Sequence, residues 1–287
     1  MPPFICFMIE IKDLTYNYSR KKSLFNGLNL TLQAGKAYGL LGKNGAGKSS
    51  LIKNIAGLLF PTRGSCTVNG FESKNRDTGF LEQLFFIPEE CELPRLTIPE
   101  FIRIYGPFYP MFNAEQFHAN LDIFNVSHDS HLYRLSFGQK KKAYIAFALA
   151  TNTKLLIMDE PTNGLDIPSK IQFRNMVVAS DNKERITIMS THQVRDLDDL
   201  ITSVIIIDNS EILLHADKEE INRRFYFERG SITDNSDIIY TEETPQGSVY
   251  LLPNTKNLPS YPDLEVLFNA TLKKREQVKS FFQPLLS

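Results

Sequence analysis

The chain has 287 residues, and its 42% hydrophobic content suits one large α/β domain with a smaller appendage. Its 32 basic and 33 acidic residues leave a net charge of -1, so no overall field draws it to nucleic acid, and we expect no nucleic-acid partner. Three cysteines, Cys6, Cys66 and Cys91, are too few and too far apart for a disulfide framework or a zinc site, and they favour a reducing compartment.

The first predicted elements are strands. The apolar start lacks a basic region and is far shorter than the roughly 20 residues that span a bilayer, and Met8 is an alternative initiator to Met1. Alternating residues over about 9–70 predict an antiparallel sheet, which leads into a central strand at 37–41. A glycine-rich loop follows at 42–47, and a helix is predicted over 48–59, where Pro61 ends it.

Later segments alternate between helix and strand. Residues 80–135 predict a helical lobe in which Pro99 starts a helix, and a second helix covers 138–151. A buried strand at 155–158, a helix at 169–180 and strands at 186–190 and 204–208 then follow in the order of a parallel sheet. We therefore expect one domain over 1–215, with a helical subdomain at about 80–150.

The composition changes after about residue 215, which predicts a small C-terminal α+β extension over 216–287. Residues 218–228 predict a helix that runs into a strand, 238–243 and 248–252 predict two more strands, and 264–282 predicts a single final helix.

One segment matches the phosphate-loop pattern GxxxxGK[ST] without a mismatch, directly after a predicted strand and before a predicted helix. Its loop amides and the positive helix end are suited to bind phosphate. The Lys48 side chain can reach the β- and γ-phosphate oxygens, the Ser49 hydroxyl can bind Mg²⁺, and Ser50 can contact an α-phosphate oxygen. The alternative, a glycine-rich turn that binds nothing, is disfavoured by the context. The predicted ligand is a nucleoside triphosphate, and the segment is Gly42, Lys43, Asn44, Gly45, Ala46, Gly47, Lys48 and Ser49.

Two adjacent acids follow the buried strand at 155–158, which places them at the carboxyl edge of the predicted sheet, where open α/β folds bind ligands. Asp159 is suited to hold Mg²⁺ through water. Glu160 is suited to accept a proton from the water that attacks the γ-phosphate, or to orient that water. The alternative is a strand followed by a helix-capping acid, and the phosphate loop makes it the weaker interpretation.

Four further elements, in matching order, resemble the ABC ATPase family over about residues 9–215. Residues 135–139 (LSFGQ) resemble its LSGGQ signature, and 161–166 (PTNGLD) resemble its D-loop. His192 resembles the switch histidine that contacts the γ-phosphate. Tyr18 resembles the aromatic residue that stacks on adenine, although Tyr16 is a rival for that role. The alternative for His192 is an ordinary residue at a strand end.

Two positions depart from the family pattern. Phe137 stands where the signature has its first glycine. A bulky ring there can alter how closely a partner cassette approaches, but we expect it to be tolerated because Ser136 and Gly138 remain. In residues 85–89, which resemble the Q-loop segment, Glu89 replaces glutamine, and Glu90 leaves the register open by one. A carboxylate can still meet Mg²⁺ and water, so hydrolysis is expected to survive. The alternative for Glu89 is an exposed loop acid.

The resemblance implies an α/β P-loop NTPase fold, an ABC cassette with an antiparallel β subdomain and a helical subdomain. It implies ATP and Mg²⁺ as cofactors, with Lys48, Glu160 and His192 in catalysis. It also implies a second cassette, which we expect to be a copy of this chain. In that head-to-tail dimer Ser136, Gly138 and Gln139 of one copy face the nucleotide of the other, and Asp166 communicates between the copies.

A separate transmembrane permease is a further implied partner, which predicts a cytoplasmic location on the inner face of the membrane. The lone cassette with a short tail resembles bacterial exporters of the ABC-2 kind. The alternative is a soluble ABC ATPase of translation or ribosome quality control, but such proteins usually carry two cassettes in one chain. The run Lys140, Lys141 and Lys142 lacks interleaved aromatics, so we interpret it as a solvated helix face rather than a nucleic-acid patch.

Overall fold

The computed structural model describes residues 7–19, 22–180, 182–230, 237–245 and 247–282, so Cys6 and the start of the chain lie outside it. Its strands are β1 (Met8–Ser19), β2 (Lys22–Gln33), β3 (Lys36–Leu41), β4 (Arg63–Val68), β5 (Phe71–Glu72), β6 (Leu84–Ile87), β7 (Leu155–Asp159), β8 (Ile186–Thr191), β9 (Ser203–Asp208), β10 (Glu211–Asp217), β11 (Phe225–Arg229), β12 (Tyr240–Thr244) and β13 (Gly247–Pro253). Its helices are α1 (Lys48–Ile55), α2 (Thr78–Leu81), α3 (Ile98–Tyr105), α4 (Ala114–Ile123), α5 (Phe137–Ala150), α6 (Ile167–Ala179), α7 (Lys218–Arg224), α8 (Leu264–Lys273) and α9 (Arg275–Ser280).

The chain divides into two compact units. The first unit holds Met1–Ala37 and Ser49–Thr191, and the second holds Tyr38–Lys48 and His192–Ser287. The predicted boundary at residues 215 and 216 falls inside β10, and that division of the chain stays a prediction.

The first unit contains the predicted antiparallel sheet and part of the predicted parallel one. The antiparallel strands lie in the order β2, β1, β4, β5, and Ile9 of β1 pairs with Leu32 of β2. Strands β6, β7 and β8 are parallel neighbours, with Ile87 opposite Met158 and Met158 opposite Met189. Every residue of β7 and β8 is buried, which agrees with their continuous apolar sequences.

Helices α3, α4 and α5 follow local capping signals in this unit. Thr97 and Glu100 form a capping box at the start of α3, and Asn113 caps α4. The predicted helical character of residues 80–135 is wrong at Leu84–Ile87, which forms the parallel strand β6. A run of four apolar residues does not by itself distinguish strand from helix, and here the pairing with β7 decides.

The second unit contains the end of the predicted central strand and the C-terminal extension. β9 pairs parallel with β3 and antiparallel with β10. β11, β13 and β12 form an antiparallel sheet, which confirms the strands predicted there. The single final helix predicted over 264–282 is wrong, because Lys274 leaves helical geometry (φ -126°, ψ 42°) and separates α8 from α9. In the part of the chain that the structure describes, no helix has both the length and the apolarity that crossing a bilayer requires.

Candidate functional site

The phosphate loop lies in the second unit, between β3 and α1. Gly45 and Gly47 have φ of +81° and +108°, a backbone that favours glycine and explains why the pattern requires it. The Lys48 side chain is only 6% exposed, and its Nζ donates to Gly42 O at 2.7 Å and to Lys43 O at 3.3 Å. The loop therefore holds its cation against its own carbonyl oxygens. Lys43 and Asn44 are exposed, and Ala46 is buried.

The next residues of α1 belong to the first unit, where Ser49 is half-buried and Ser50 is buried. Ser50 Oγ and the Tyr18 hydroxyl share a hydrogen bond of 2.6 Å. Tyr18 is 62% exposed, whereas Tyr16 is 7% exposed and packs edge-on against it. Only the Tyr18 ring is open enough to receive a planar ligand, which favours it over its rival.

The two acids at the end of β7 are held by Ser190 of the neighbouring strand. Asp159 and Glu160 are 3% and 5% exposed, and Asp159 is opposite Ser190 in the register of β7 and β8. Ser190 Oγ donates a short hydrogen bond to Asp159 Oδ1. The Glu160 N–H donates to Ser190 O at 3.1 Å and approaches Ser190 Oγ at 3.3 Å. One serine thus positions both the predicted metal ligand and the predicted base.

Glu160 has an unusual backbone. Its φ is +44°, in the left-handed region that costs an ordinary L-residue about 1 kcal/mol or more. Such strain gathers at functional sites, where the surrounding structure enforces it. Here the hydrogen bond to Ser190 and the turn closed by Asn163 N and Glu160 O at 3.2 Å enforce it.

The signature residues form the start of α5. Ser136 Oγ accepts from the Gln139 N–H at 3.3 Å, and Gln139 Oε1 accepts from the Ser136 N–H at 3.1 Å, so the two residues form a capping box. Phe137 is 51% exposed, and its ring lies over Gly164, where a Cβ would stand 2.3 Å from Phe137 Cε1. Phe137 therefore packs on the D-loop segment of its own chain, a contact that the sequence did not predict.

Glu89 is exposed and lies next to the same segment. Its Oε1 accepts from Asn163 Nδ2 at 3.1 Å, whereas Glu90 is exposed on the following residue. The Glu89 side chain is thus hydrogen-bonded to the segment that follows Glu160, and its role at the nucleotide stays a prediction.

The prediction of a solvated lysine face is wrong for Lys141, which is 1% exposed. Its Nζ donates to Pro88 O at 3.0 Å and to Glu89 O at 2.9 Å. Burial lowers the pKa of the Lys141 ammonium, an effect that the nearby Cys91 and Asp159 partly oppose. Lysine is almost never fully buried unless it is paired, and the two carbonyl oxygens are its partners here.

Asp166 caps α6. Its Oδ1 accepts from the Ser169 N–H at 2.9 Å, and the hydrogen bonds from the Ser169 side chain and backbone lower the pKa of the Asp166 carboxyl. His192 lies in the second unit just after β8 and is exposed, with its Nε2 at 3.4 Å from Gln193 Nε2. The nucleotide-contacting roles of Asp166 and His192 stay predictions.

Three residues that hold the site together were missed by sequence reasoning: Ser190, Asn163 and Lys141. Asn163 lies inside the segment that resembles the D-loop, and Ser190 ends the predicted strand just before His192, so the positions of both could have been used to find them. Lys141 carried no such signal, because its neighbours Lys140 and Lys142 have the same side chain and are not buried.

The donors present fit a magnesium nucleotide. A loop at a helix N-terminus with a buried ammonium group suits polyphosphate. The Ser49 hydroxyl and the Asp159 carboxylate are the hard oxygen ligands that Mg²⁺ takes in nucleotide sites, where phosphate and water supply the rest. Within the described ranges no group of three or more His, Cys, Asp or Glu side chains is arranged to hold a metal ion unaided.

Comparison with known proteins agrees with this chemistry. A family model described as ABC transporter matches residues 25–163. The lantibiotic transport ATP-binding protein SrtF of Streptococcus pyogenes is 31% identical over 239 residues, which cover 77% of this chain and 99% of that protein. The Nod factor export ATP-binding protein I of Burkholderia lata is 29% identical, covering 65% of this chain and 64% of that protein.

A solved structure of the ATP binding subunit of an ABC transporter superposes with a TM-score of 0.68 at 27% identity, covering 75% of this chain and 92% of that one. This chain therefore belongs to the family of ABC transporter ATP-binding proteins, which bind ATP and hydrolyse it to power transport.

Proposed function

We propose that this chain is the ATP-hydrolysing subunit of an exporter and that Glu160 activates the attacking water. The observation that carries the proposal is the Ser190 arrangement, which holds Asp159 and Glu160 at the end of β7 with little freedom. A preorganised acid loses little orientation on reaching the transition state, which is how enzymes lower such barriers.

The roles of the chain's own groups follow from their chemistry. The phosphate-loop amides and Lys48 bind and orient the phosphates, and the Tyr18 ring stacks on the base. Ser49 and Asp159 hold Mg²⁺, which when bound offsets negative charge on the phosphate oxygens. The Glu160 carboxylate accepts a proton from the attacking water, and His192 helps to position that water. Glu89 reaches the water around the metal.

The dimer part of the proposal concerns a second copy of this chain. Ser136, Gly138 and the positive end of α5 face the γ-phosphate held by the partner's loop. Asp166 lies beside this surface. The exposure of Ser136 and Phe137 at the start of α5 supports this role, because a group that acts in trans must be accessible.

The membrane part of the proposal rests on the relatives. One relative is named for lantibiotic transport and another for Nod factor export. We therefore propose a separate transmembrane permease as partner, with this chain peripheral on the inner face of the membrane and no nucleic acid bound.

Glu160→Gln tests the catalytic assignment. It should leave ATP affinity within about twofold, lower kcat by about 100-fold, and trap an ATP-dependent dimer by size-exclusion chromatography. The matched control is Glu115→Gln, the same change at an exposed acid of α4, which should behave as the unmodified chain. Unchanged kcat in Glu160→Gln would remove Glu160 from its role.

Affinity capture from detergent-solubilised membranes tests the partner. Recovery of a polytopic membrane protein supports the transporter, whereas recovery of ribosomes would replace it with the translation-type ATPase.

A further inference from the structure

The buried lysine of α5 has no assigned task in ATP binding or hydrolysis. Lys141 lies two residues after Gln139, on the first turns of the helix that carries the signature. An ammonium group in this position loses its hydration, and its hydrogen bonds to Pro88 O and Glu89 O replace part of that loss, with a further electrostatic contribution from nearby acidic groups such as Asp159. An apolar side chain at this position could pack α5 without the cost of desolvating a charge. The role of Lys141 therefore lies with the groups that it contacts.

Lys141 contacts residues 88–89, the short segment that directly follows β6 and carries Glu89. Ile87, the last residue of β6, is paired with Met158 of β7, so the segment is fixed on one side by the sheet. On its other side the two carbonyl oxygens are held by Lys141. Cys91, 8% exposed, adds a weak hydrogen bond from its thiol to Pro88 O at 3.5 Å. The backbone that carries Glu89 is thereby attached to α5.

The Glu89 side chain continues the connection. Its carboxylate accepts from Asn163, three residues after Glu160. The adjoining Gly164 lies against the start of α5, since a Cβ placed on Gly138 would stand 2.9 Å from Gly164 O. Three segments thus form a closed ring of contacts: the start of α5, residues 88–89, and residues 163–164. Lys141 makes the only charge-assisted connection to backbone within that ring among the contacts described here.

We propose that Lys141 is a positioning residue that fixes Glu89 relative to the signature end of α5, so that the signature, Glu89 and the segment after Glu160 move as one piece. This inference rests on the proposed function, because it assigns the piece to the hydrolysis step. Without Lys141, residues 88–89 lose their direct attachment to α5 and stay joined to the ring through the hydrogen bond between Glu89 and Asn163. We therefore expect the rate of hydrolysis to fall while the affinity for the nucleotide stays the same.

Lys141→Met tests the proposal, because methionine fills nearly the same volume and removes the donor. In the chain assembled with its permease, kcat should fall about tenfold while KM for ATP stays within about twofold, as expected for lost orientation. Lys141→Gln keeps an N–H₂ donor on a side chain one bond shorter. Its kcat should be at least about threefold higher than the kcat of Lys141→Met. Lys140→Met, the same change one residue earlier on the same helix, is the control and should keep the unmodified kcat.

Hydrogen exchange measured on the full chain alone provides the second readout. Amides of residues 89–92 should exchange about tenfold faster in Lys141→Met than in Lys140→Met, with no comparable change in β7 or β8. If Lys141→Met does not fold, Lys141→Gln decides by the same two measurements. Equal kcat in the Lys140 and Lys141 variants, or equal exchange at 89–92, overturns the proposal. If the unmodified chain shows no ATPase activity, the proposed function fails, and the exchange comparison still decides whether Lys141 fixes the segment.

Discussion

Gly164→Ala is expected to destabilise the first unit by two separable effects. The backbone effect comes from φ +80°, which costs an alanine about 1 kcal/mol. The steric effect comes from Phe137, whose Cε1 would lie 2.3 Å from the new Cβ. The ring is exposed and can turn aside, at the roughly 1 kcal/mol of an unfavourable rotamer. The two effects add to a loss of about 2 kcal/mol in the free energy of unfolding.

Urea unfolding of four chains separates these effects: the unmodified protein, Gly164→Ala, Phe137→Ala and the double variant. In the Phe137→Ala background the alanine at 164 should cost only the backbone part, so the coupling between the two sites should be about 1 kcal/mol. Gly27→Ala is the matched control, because Gly27 has φ +73° and no atom within 4 Å of an added Cβ. It should cost about 1 kcal/mol alone. Zero coupling between residues 137 and 164 would refute the contact between them.

Other predictions concern the nucleotide and the thiols. Lys48→Ala should weaken ATP binding at least tenfold in a fluorescence titration, because it removes a charged phosphate donor worth about 1.5–3 kcal/mol; unchanged affinity would contradict the phosphate-loop assignment. Tyr18→Phe should bind ATP within about twofold of the unmodified chain and Tyr18→Ala about tenfold more weakly, since stacking needs the ring; equal losses would assign the effect to the hydroxyl. Burial raises the pKa of the Cys66 thiol from 9.0 to about 11. The thiol of the unfolded chain ionises at a lower pH than the buried thiol of the folded chain. The free energy of unfolding therefore keeps its full value below pH 9 and falls as pH rises toward 11, by at most about 1.4 kcal/mol per pH unit. Cys66→Ser should show a flatter decline in unfolding free energy over that range, and parallel curves would contradict the assignment.

The nucleotide-binding elements were predictable because the residues that give each element its chemistry are consecutive in the sequence. The loop from Gly42 to Ser49 lies between a strand and a helix, and the two acids lie at the end of a buried strand, as their consecutive residues predict. The antiparallel sheet was predictable for a similar reason, since alternation over β1 and β2 is a local pattern. In these segments the local preference and the tertiary structure agree.

The rest depended on residues distant in sequence. Lys141 is buried because residues 88–89 offer it two carbonyl oxygens from more than 50 positions away, and its sequence neighbourhood gives no sign of this. Phe137 packs on Gly164 for the same kind of reason. At Leu84–Ile87, pairing with the distant strand β7 decides between strand and helix, which the local apolar pattern leaves ambiguous.

The left-handed backbone of Glu160 has an evolutionary consequence. Glycine or asparagine would occupy that conformation with less strain, so replacing the acid should stabilise the fold while removing the group proposed to activate the water. Selection for thermal robustness and selection for activity therefore oppose each other at this one position. Libraries screened for stability alone should enrich inactive variants at this position. In a descendant that no longer needs hydrolysis, replacement of Glu160 would be favoured by the gain in stability.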